Sequence, residues 1–352
     1  MLYTFPKLYS HKSFRLNRNL VYFFSKLRTV TAASTFVPFT DYFDSQFGAF
    51  LNSGKQQTLR THFETFFNIF KALAPAEKAV IIKTFFDSQK ISEIFNNVTI
   101  NGNNLKLRAL PAPIQDSAHV LFSYLYANTI NSFGTLKNHY KILFDSAPSS
   151  ICPFCGIEIL NSPSLVRQDY DHMLLQSEYV FSNVNMENIV PAGTECNRIY
   201  KHDADVLYHL NNRTLFNSAY TRNFDIRISM IGSKPPQNLI DKGSWVLTIT
   251  PDNDYTRQWD RVYKIRDRYI ENVLHKFYST WLKEFRDYLH IKSSLPITNT
   301  DLENEFVAQG LALQENPTSS QANIVKGAFY NFIASYNDAI YQAGLLSYIN
   351  SK

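Results

Sequence analysis

All three cysteines of this 352-residue chain lie between residues 152 and 201, together with Asp171, His172, Asn188 and Asn197. A carboxylate and an amide oxygen suit a hard divalent cation, and an imidazole beside them can take a proton from water. These groups meet the needs of one-metal hydrolysis of a phosphodiester bond. The segment therefore predicts a metal-dependent hydrolytic site.

The cysteines predict a structural zinc site that lacks one obvious ligand. Cys152 and Cys155 form a C-x-x-C turn, and Cys196 adds a third thiolate. Zinc normally takes four ligands, but Gly193 stands where a second C-x-x-C would need its first cysteine. Several possibilities remain open for the fourth position, namely a water molecule, His202, His209 or the absence of zinc.

The sequence D-Y-D-H at 169–172 predicts a strand. In a regular strand Asp169 and Asp171 would share one face, and His172 would point to the other. A carboxylate and the neighbouring imidazole can serve one phosphate only if the strand ends or bulges there. We therefore predict an irregularity at Asp171 and His172.

A short helix is predicted near Glu195, because Thr194 can cap its first turn. Asn197 would then lie where its amide oxygen can reach a metal held by Asp171. On this helix Arg198 and Lys201 are three residues apart and would lie on roughly one side. They could grip backbone phosphates, and a solvated helix face is the alternative.

The order C-x-x-C, D-x-D-H, N-I-V-P and C-N-x-x-K resembles the HNH family of nucleases, which have a ββα-metal fold. The resemblance implies that His172 is the general base and that Asn188 orients the loop carrying it. It implies that Asp171 and Asn197 hold the catalytic cation, Mg²⁺ or Mn²⁺, with Asp169 as a further ligand or close neighbour. The cysteines would form the zinc knuckle that braces the hairpin.

The wider layout is similar to HNH effector subunits of bacterial anti-phage systems such as Septu. That similarity implies a cytoplasmic bacterial protein with a partner, an ATPase or other sensor, that restrains the nuclease. The expected substrate is nucleic acid, with DNA favoured, and activity is expected to rise through about pH 6.5 unless the site shifts the pKa of His172. The alternative is a non-catalytic nucleic-acid-binding or scaffold module with a decayed zinc knuckle.

Composition and charge set broad limits. The net charge of +5 leans mildly toward polyanionic partners. An odd number of cysteines argues against a disulfide framework. No uninterrupted apolar stretch of about 18 residues occurs, so no membrane span is predicted.

The pattern of apolar residues predicts an α+β fold, mostly helical, with a central ββα-metal module. We divide the chain into four parts. These are a basic aromatic arm at 1–40, a helical region at 41–147, the nuclease module at 148–210, and short strands followed by helices at 211–352. Helices are predicted at 57–73, from Pro75, at 115–145 with a break near Gly134, at 257–290 as one long helix or two, from a capping box at 300–303, and at 321–349. Short strands are predicted at 225–230 and 244–250.

The first 40 residues contain no acidic side chain and interleave basic with aromatic residues. Three interpretations remain open. The segment packs its aromatic rings on the body with its charges solvated, or it is an arm that touches nucleic acid or a partner, or it is a targeting peptide.

Overall fold

The structure is a computed structural model that describes residues 1–37, 41–221, 225–236, 242–292 and 296–351. The chain is mostly helical with small antiparallel sheets, which agrees with the predicted α+β class. Among the described helices, none has both the length and the apolar content needed to cross a lipid bilayer.

The chain divides into two compact units. The first unit comprises Met1–Tyr3, Pro148–Leu160 and Asn223–Lys352, and the second comprises Thr4–Ala147 and Asn161–Arg222. Of the boundaries drawn from the sequence, only the one after Ala147 coincides with a boundary between units. The predicted module 148–210 is itself divided, because its hairpin 148–160 packs against helices of the first unit.

The second unit contains eight α-helices and four short strands within its described residues. The helices are α1 Ser13–Leu27, α2 Ser45–Asn52, α3 Gln57–Ala72, α4 Pro75–Ser88, α5 Ile91–Asn96, α6 Ala112–Tyr124, α7 Ile130–Ser132 and α8 Leu136–Ser146. The strands are β1 Tyr170–His172, β2 Ile189–Pro191, β3 Tyr208–His209 and β4 Asn212–Arg213. Two segments are π-helical, Leu125–Thr129 and Cys196–Lys201.

Aromatic side chains form the core of the second unit. Helix α3 follows the predicted apolar spacing and buries the rings of Phe63, Phe66, Phe67 and Phe70. Helix α1 adds Phe23 and Phe24, which are fully buried, and the Phe24 ring stacks on Phe85 of α4 at 3.7 Å. The predicted arm is therefore a structural helix over residues 13–27, as the first of the three interpretations expects, because its aromatic face is needed to fill this core.

Within its described residues, the first unit contains one small sheet and six α-helices. The strands β5 Arg227–Ser229 and β6 Thr248–Thr250 are antiparallel, and the helices are α9 Asp254–Tyr263, α10 Ile265–Arg268, α11 His275–Lys292, α12 Asn299–Glu315, α13 Asn323–Ser335 and α14 Ala339–Asn350. Stacked rings of Phe285 and Phe306, 3.7 Å apart, join α11 to α12.

Two predicted helix limits in the first unit were wrong, and a third helical segment is divided. The segment 257–290, expected as one long helix or two, is divided at Lys264, which has a left-handed backbone, and contains a π-helical stretch, Tyr269–Leu274. The capping box begins at Thr298, whose hydroxyl accepts from the Asp301 amide at 3.2 Å. The last predicted helix is two helices, because a new cap forms at Asp338, whose carboxylate accepts from the Tyr341 amide.

Replacing Phe24 with alanine tests whether the N-terminal helix belongs to the core. We expect Phe24→Ala to lower the free energy of unfolding by about 3–5 kcal/mol, because it leaves a cavity among stacked rings. Tyr22→Ala on the exposed side of α1 is the matched control, with an expected change within about 0.5 kcal/mol. Urea denaturation followed by circular dichroism gives both values, and equal effects would show that α1 is not part of the core.

Candidate functional site

A two-stranded hairpin followed by a helical turn carries the predicted catalytic residues. Strand β1 is antiparallel to β2, with Asp171 opposite Val190 and His172 opposite Ile189. A helical segment follows β2, and its final part is the π-helical turn Cys196–Lys201. The expected irregularity is the end of a strand: β1 stops after His172, and its pairing contains no bulge.

The side chain of Asn188 forms hydrogen bonds that hold the loop between β1 and β2 together. The residue is fully buried, and its side-chain oxygen accepts from the Leu174 amide at 2.7 Å. Its amide nitrogen donates to the carbonyls of Leu174 and Ser182 at 3.3 and 3.2 Å. One side chain therefore fixes the chain directly after His172 and the middle of the loop.

The loop has a second anchor in the helical part of this unit. Lys106, almost completely buried, forms ion pairs with Glu178 and with Asp205, the latter at 2.7 Å. The Leu107 amide donates to the Glu178 carbonyl at 2.6 Å, and the Tyr179 hydroxyl donates to Asp205 at 2.9 Å. Because Glu178 and Tyr179 belong to the loop, these bonds hold it at a defined place.

His172 has the protonation state that a general base needs. Its Nε2 lies 3.0 Å from the carbonyl oxygen of Asn183. A carbonyl only accepts, so Nε2 carries the hydrogen and the neutral ring keeps its lone pair on Nδ1. The pKa of His172 is lowered to about 4, chiefly by burial; the hydrogen bond to Asn183 raises it, and the charge of Lys201 lowers it. The imidazole is therefore neutral at pH values well below 6.5, the pH through which activity would rise if this pKa were not shifted.

Asp171 and Lys201 form a buried ion pair. The lysine Nζ lies 2.9 Å from Oδ1 of the carboxylate, and both side chains are 2% exposed. Removing two charges from water is costly, so each stabilises the other only because the contact is close. This pair joins the end of the π-helical turn to β1.

Arg198 does not share a side with Lys201, which corrects the predicted phosphate grip. Its side chain is 65% exposed and pairs with the half-exposed Asp169. A π-helical turn contains more residues per turn than an α-helix, so positions three apart diverge further. Asp169 therefore pairs with Arg198 at the surface.

Asn197 lies in the helical segment after β2 as expected, whereas the expected cap at Thr194 is not formed. Asn197 is half-buried, and its backbone amide donates to the Gly193 carbonyl at 3.0 Å. Thr194 lies inside the helical segment and does not cap it. Its hydroxyl accepts from the side-chain amide of Gln168 at 3.3 Å.

Two aromatic residues that contact β1 were not among the predicted site residues. Tyr126, on the π-helical segment of residues 125–129, places its ring edge-on to the His172 imidazole with centroids 4.2 Å apart. His139 of α8, which is buried, has its Nδ1 2.7 Å from the Tyr170 hydroxyl. Nothing in their local sequence separates them from ordinary core residues, and only the packing of α6 to α8 on β1 identifies them.

The C-x-x-C segment is a knuckle with amides directed at sulfur. The Cys152 amide donates to the Glu158 carbonyl at 2.7 Å, and Gly156 has φ of 68°, a left-handed backbone that suits glycine. The amides of Ile157 and Glu158 donate to Sγ of Cys155, each at 3.4 Å. Donors that point at a sulfur favour its thiolate form, which is the form that binds metal.

Helices of the first unit brace this knuckle. The indole Nε1 of Trp259 donates to the Phe154 carbonyl at 2.6 Å, and the Tyr269 hydroxyl donates to the Cys155 carbonyl at 2.8 Å. The Phe154 ring stacks on Tyr263 at 4.7 Å. The turn that carries two thiolates is thus held by buried bonds to α9 and to the π-helical stretch after α10.

In the first unit, three side chains form a cluster that could bind a metal such as zinc. The ligand atoms of Cys152, Cys155 and Glu158 all lie within 4.8 Å of one another, and the third cysteine, Cys196, belongs to the second unit. The cysteines are buried and not joined by disulfides. Thiolate sulfurs and a carboxylate oxygen are donors that zinc accepts.

Glu158 is a candidate ligand that the pattern of cysteines alone did not indicate. Of the two histidine candidates, His202 is exposed and pairs with Asp203 at 3.2 Å, and His209 is exposed on β3. The buried guanidinium of Arg268 lies 3.5 Å from Glu158, a contact that orients the carboxylate. The signal in the sequence that could have identified Glu158 as a ligand is its spacing, since it follows Cys155 by three residues.

Metal analysis tests the cysteine cluster. We expect the purified protein to hold about one zinc ion per chain, and Cys155→Ser to lose it, because one of the thiolate ligands disappears. Glu158→Gln should release zinc at a lower chelator concentration, and His202→Ala should behave as wild type. Elemental analysis after dialysis gives the zinc content, and a wild-type protein free of zinc would contradict this assignment.

Acid stability tests the buried histidine beside β1. Burial lowers the pKa of His139 to about 3, with the charge of His11 as a second cause. The folded pKa is below the unfolded value, so the unfolded chain takes up the proton first and stability falls as pH drops below about 6.5. Between pH 7 and pH 5 the loss from His139 should be about 2 kcal/mol.

Urea midpoints at the two pH values provide the measurement. His139→Gln, which cannot titrate, should lose less stability than wild type over this interval. His119→Gln, at an exposed position of α6, should keep the wild-type difference. An unchanged pH dependence in His139→Gln would contradict the assignment.

No protein-family model, curated protein or solved structure matches this chain. The chemical groups on which a function can rest are a neutral buried imidazole, a buried carboxylate paired with lysine, and cysteines on a braced knuckle.

Proposed function

We propose that this chain is a metal-dependent endonuclease of the HNH type that hydrolyses phosphodiester bonds, with DNA as the favoured substrate. The observation that carries the proposal is the arrangement of Asp171 and His172 at the end of β1. A loop fixed by Asn188, the strand β2 and a helical turn bearing Asn197 and Lys201 follow in that order. The order of elements is strand, strand, helix.

His172 is suited to take the proton of the attacking water. Its Nδ1 keeps a lone pair because Nε2 donates to Asn183, and the imidazole is neutral near pH 7. The water oxygen would bond to phosphorus as its proton passes to Nδ1, and the bond to the 3′ oxygen would break to leave a 5′ phosphate. Asn188 holds the backbone just after the imidazole, so it acts as a positioning residue.

The oxygen donors of Asp171 and Asn197 fit a hard cation. Lys201 contacts one of the two carboxylate oxygens of Asp171 and so fixes its orientation. A Mg²⁺ or Mn²⁺ ion, when bound, supplies the positive charge that polarises the phosphate and stabilises the leaving oxygen. The exposed Arg198 remains suited to a backbone phosphate, because its partner Asp169 is a surface group and such pairs are weak.

We extend the proposal to a role as a bacterial anti-phage effector with a partner ATPase or sensor. The support is the order of motifs and its likeness to such effectors. A zinc-bound knuckle would act as the brace of the nuclease hairpin.

The second candidate is a non-catalytic nucleic-acid-binding or scaffold module. The buried Asp171–Lys201 pair favours it, because the carboxylate already has a cationic partner. The two candidates differ in one measurable respect, the turnover of a nucleic-acid substrate in the presence of a divalent ion.

Plasmid cleavage with Mg²⁺ or Mn²⁺ decides between them. We expect wild type to cut, EDTA to stop it, and His172→Ala to lose about 10²–10⁴-fold in rate, as general bases commonly contribute. Asp171→Ala should also abolish cleavage, and His119→Ala should leave it unchanged. Cleavage by His172→Ala at the wild-type rate would refute the assigned base, and cleavage that persists in EDTA would refute the metal.

A further inference from the structure

The surroundings of His172 include one side chain whose chemistry the proposed mechanism does not use. Tyr126 lies on the π-helical segment that follows α6. Such insertions in a helix occur frequently at functional sites, since they re-aim a side chain that regular winding would direct elsewhere. Here the insertion coincides with the residue that touches the candidate base.

The ring of Tyr126 restrains the imidazole. Its centroid is 4.2 Å from that of His172, with 67° between the ring planes. This edge-to-face arrangement is favourable for aromatic pairs. The bond from Nε2 to Asn183 fixes one edge of the imidazole, and the Tyr126 ring limits its rotation from a second direction.

The hydroxyl of Tyr126 differs from those of other tyrosines packed near the hairpin. Tyr140 and Tyr220 donate to backbone carbonyls, Tyr170 bonds to His139, and Tyr179 donates to Asp205. Within the described part of the chain, the hydroxyl of Tyr126 makes no such bond, although its ring is largely covered. A half-buried phenol with an unused donor is suited to an oxygen that arrives with a ligand.

The charges around this phenol indicate which ligand it suits. The pKa of Tyr126 is raised to about 12, chiefly by burial; the charge of Arg167 lowers it, and the charges of Asp169 and Asp171 raise it. The group therefore remains an O–H donor at neutral pH. Arg167 lies over the ring of Tyr170 on β1, with 5.3 Å from its guanidinium carbon to the ring centroid, so a cation lies beside the strand that ends at His172. An O–H donor and a guanidinium are both groups that bind phosphate oxygens.

We propose that Tyr126 is a further residue of this site, whose ring positions His172 and whose hydroxyl donates a hydrogen bond to a backbone phosphate of the bound nucleic acid. This inference rests on the proposed function for the identity of the ligand. It adds a substrate contact from the helical region, outside the segment 152–201.

Two substitutions separate the two roles. Tyr126→Phe removes only the hydroxyl and should weaken binding of a fluorescent DNA duplex about tenfold in EDTA, as for the loss of one hydrogen bond to a charged group. In the cleavage assay it should raise KM by a similar factor with kcat within about twofold. Tyr126→Leu removes the ring as well, so kcat should also fall, and phenylalanine should restore kcat but not KM.

Tyr124→Phe is the matched control. Tyr124 lies two residues earlier and makes the same kind of edge contact with a different histidine, His62, at 5.0 Å. It should bind and cut as wild type. Thermal unfolding of all three variants shows whether a loss reflects the fold, and Tyr126→Phe is expected to unfold as wild type does.

The outcomes distinguish this inference from the proposed function. If His172→Ala abolishes cleavage while Tyr126→Phe binds and cuts as wild type, the phosphate contact of Tyr126 is refuted and the nuclease assignment stands. If Tyr126→Phe weakens duplex binding tenfold while His172→Ala cuts normally, the contact stands and the assigned base is refuted. Equal kcat for Tyr126→Leu and Tyr126→Phe would refute the positioning role of the ring.

Discussion

The buried ion pair between Asp171 and Lys201 is the constraint on which the candidate catalytic site depends. A carboxylate at 2% exposure would be very costly without a cation beside it. The lysine reaches it because residues 196–201 wind as a π-helical turn, which places Lys201 inward and Arg198 outward. The pair thereby sets the position of the turn against β1 and the orientation of the carboxylate that would hold a cation.

The same low-polarity surroundings determine the state of the neighbouring histidine. Burial disfavours the imidazolium, the nearby ammonium of Lys201 disfavours it further, and a carbonyl selects which nitrogen keeps the proton. A neutral imidazole with its lone pair on a known nitrogen results from desolvation, one charge and one hydrogen bond. The fixed loop contributes by holding the chain on both sides, through Asn188 within the loop and Lys106 outside it.

The cysteine cluster shows a different way of holding ligands. Its knuckle is shaped by backbone bonds, by a left-handed glycine and by amides directed at sulfur, and it is braced by Trp259 and Tyr269. Glu158 belongs to the same turn, so the carboxylate and two of the thiolates are supplied by one short segment. A metal in this cluster would act on structure, whereas a cation at Asp171 would act on chemistry.

Local sequence determined the elements that depend on neighbouring residues: α3, α4, the two strands of the first unit, the hairpin residues and the loop-tying capacity of Asn188. It also grouped residues that the structure places together, Asp171 with His172 and Cys152 with Cys155. Tertiary structure alone decided that Lys201 faces inward and Arg198 outward, that Glu158 lies beside Cys152 and Cys155, and that Tyr126 and His139 pack against β1. Local sequence patterns indicate which face of a helix or strand is apolar. They do not indicate which distant side chain contacts a buried charge or ring, because that contact depends on how the whole unit packs.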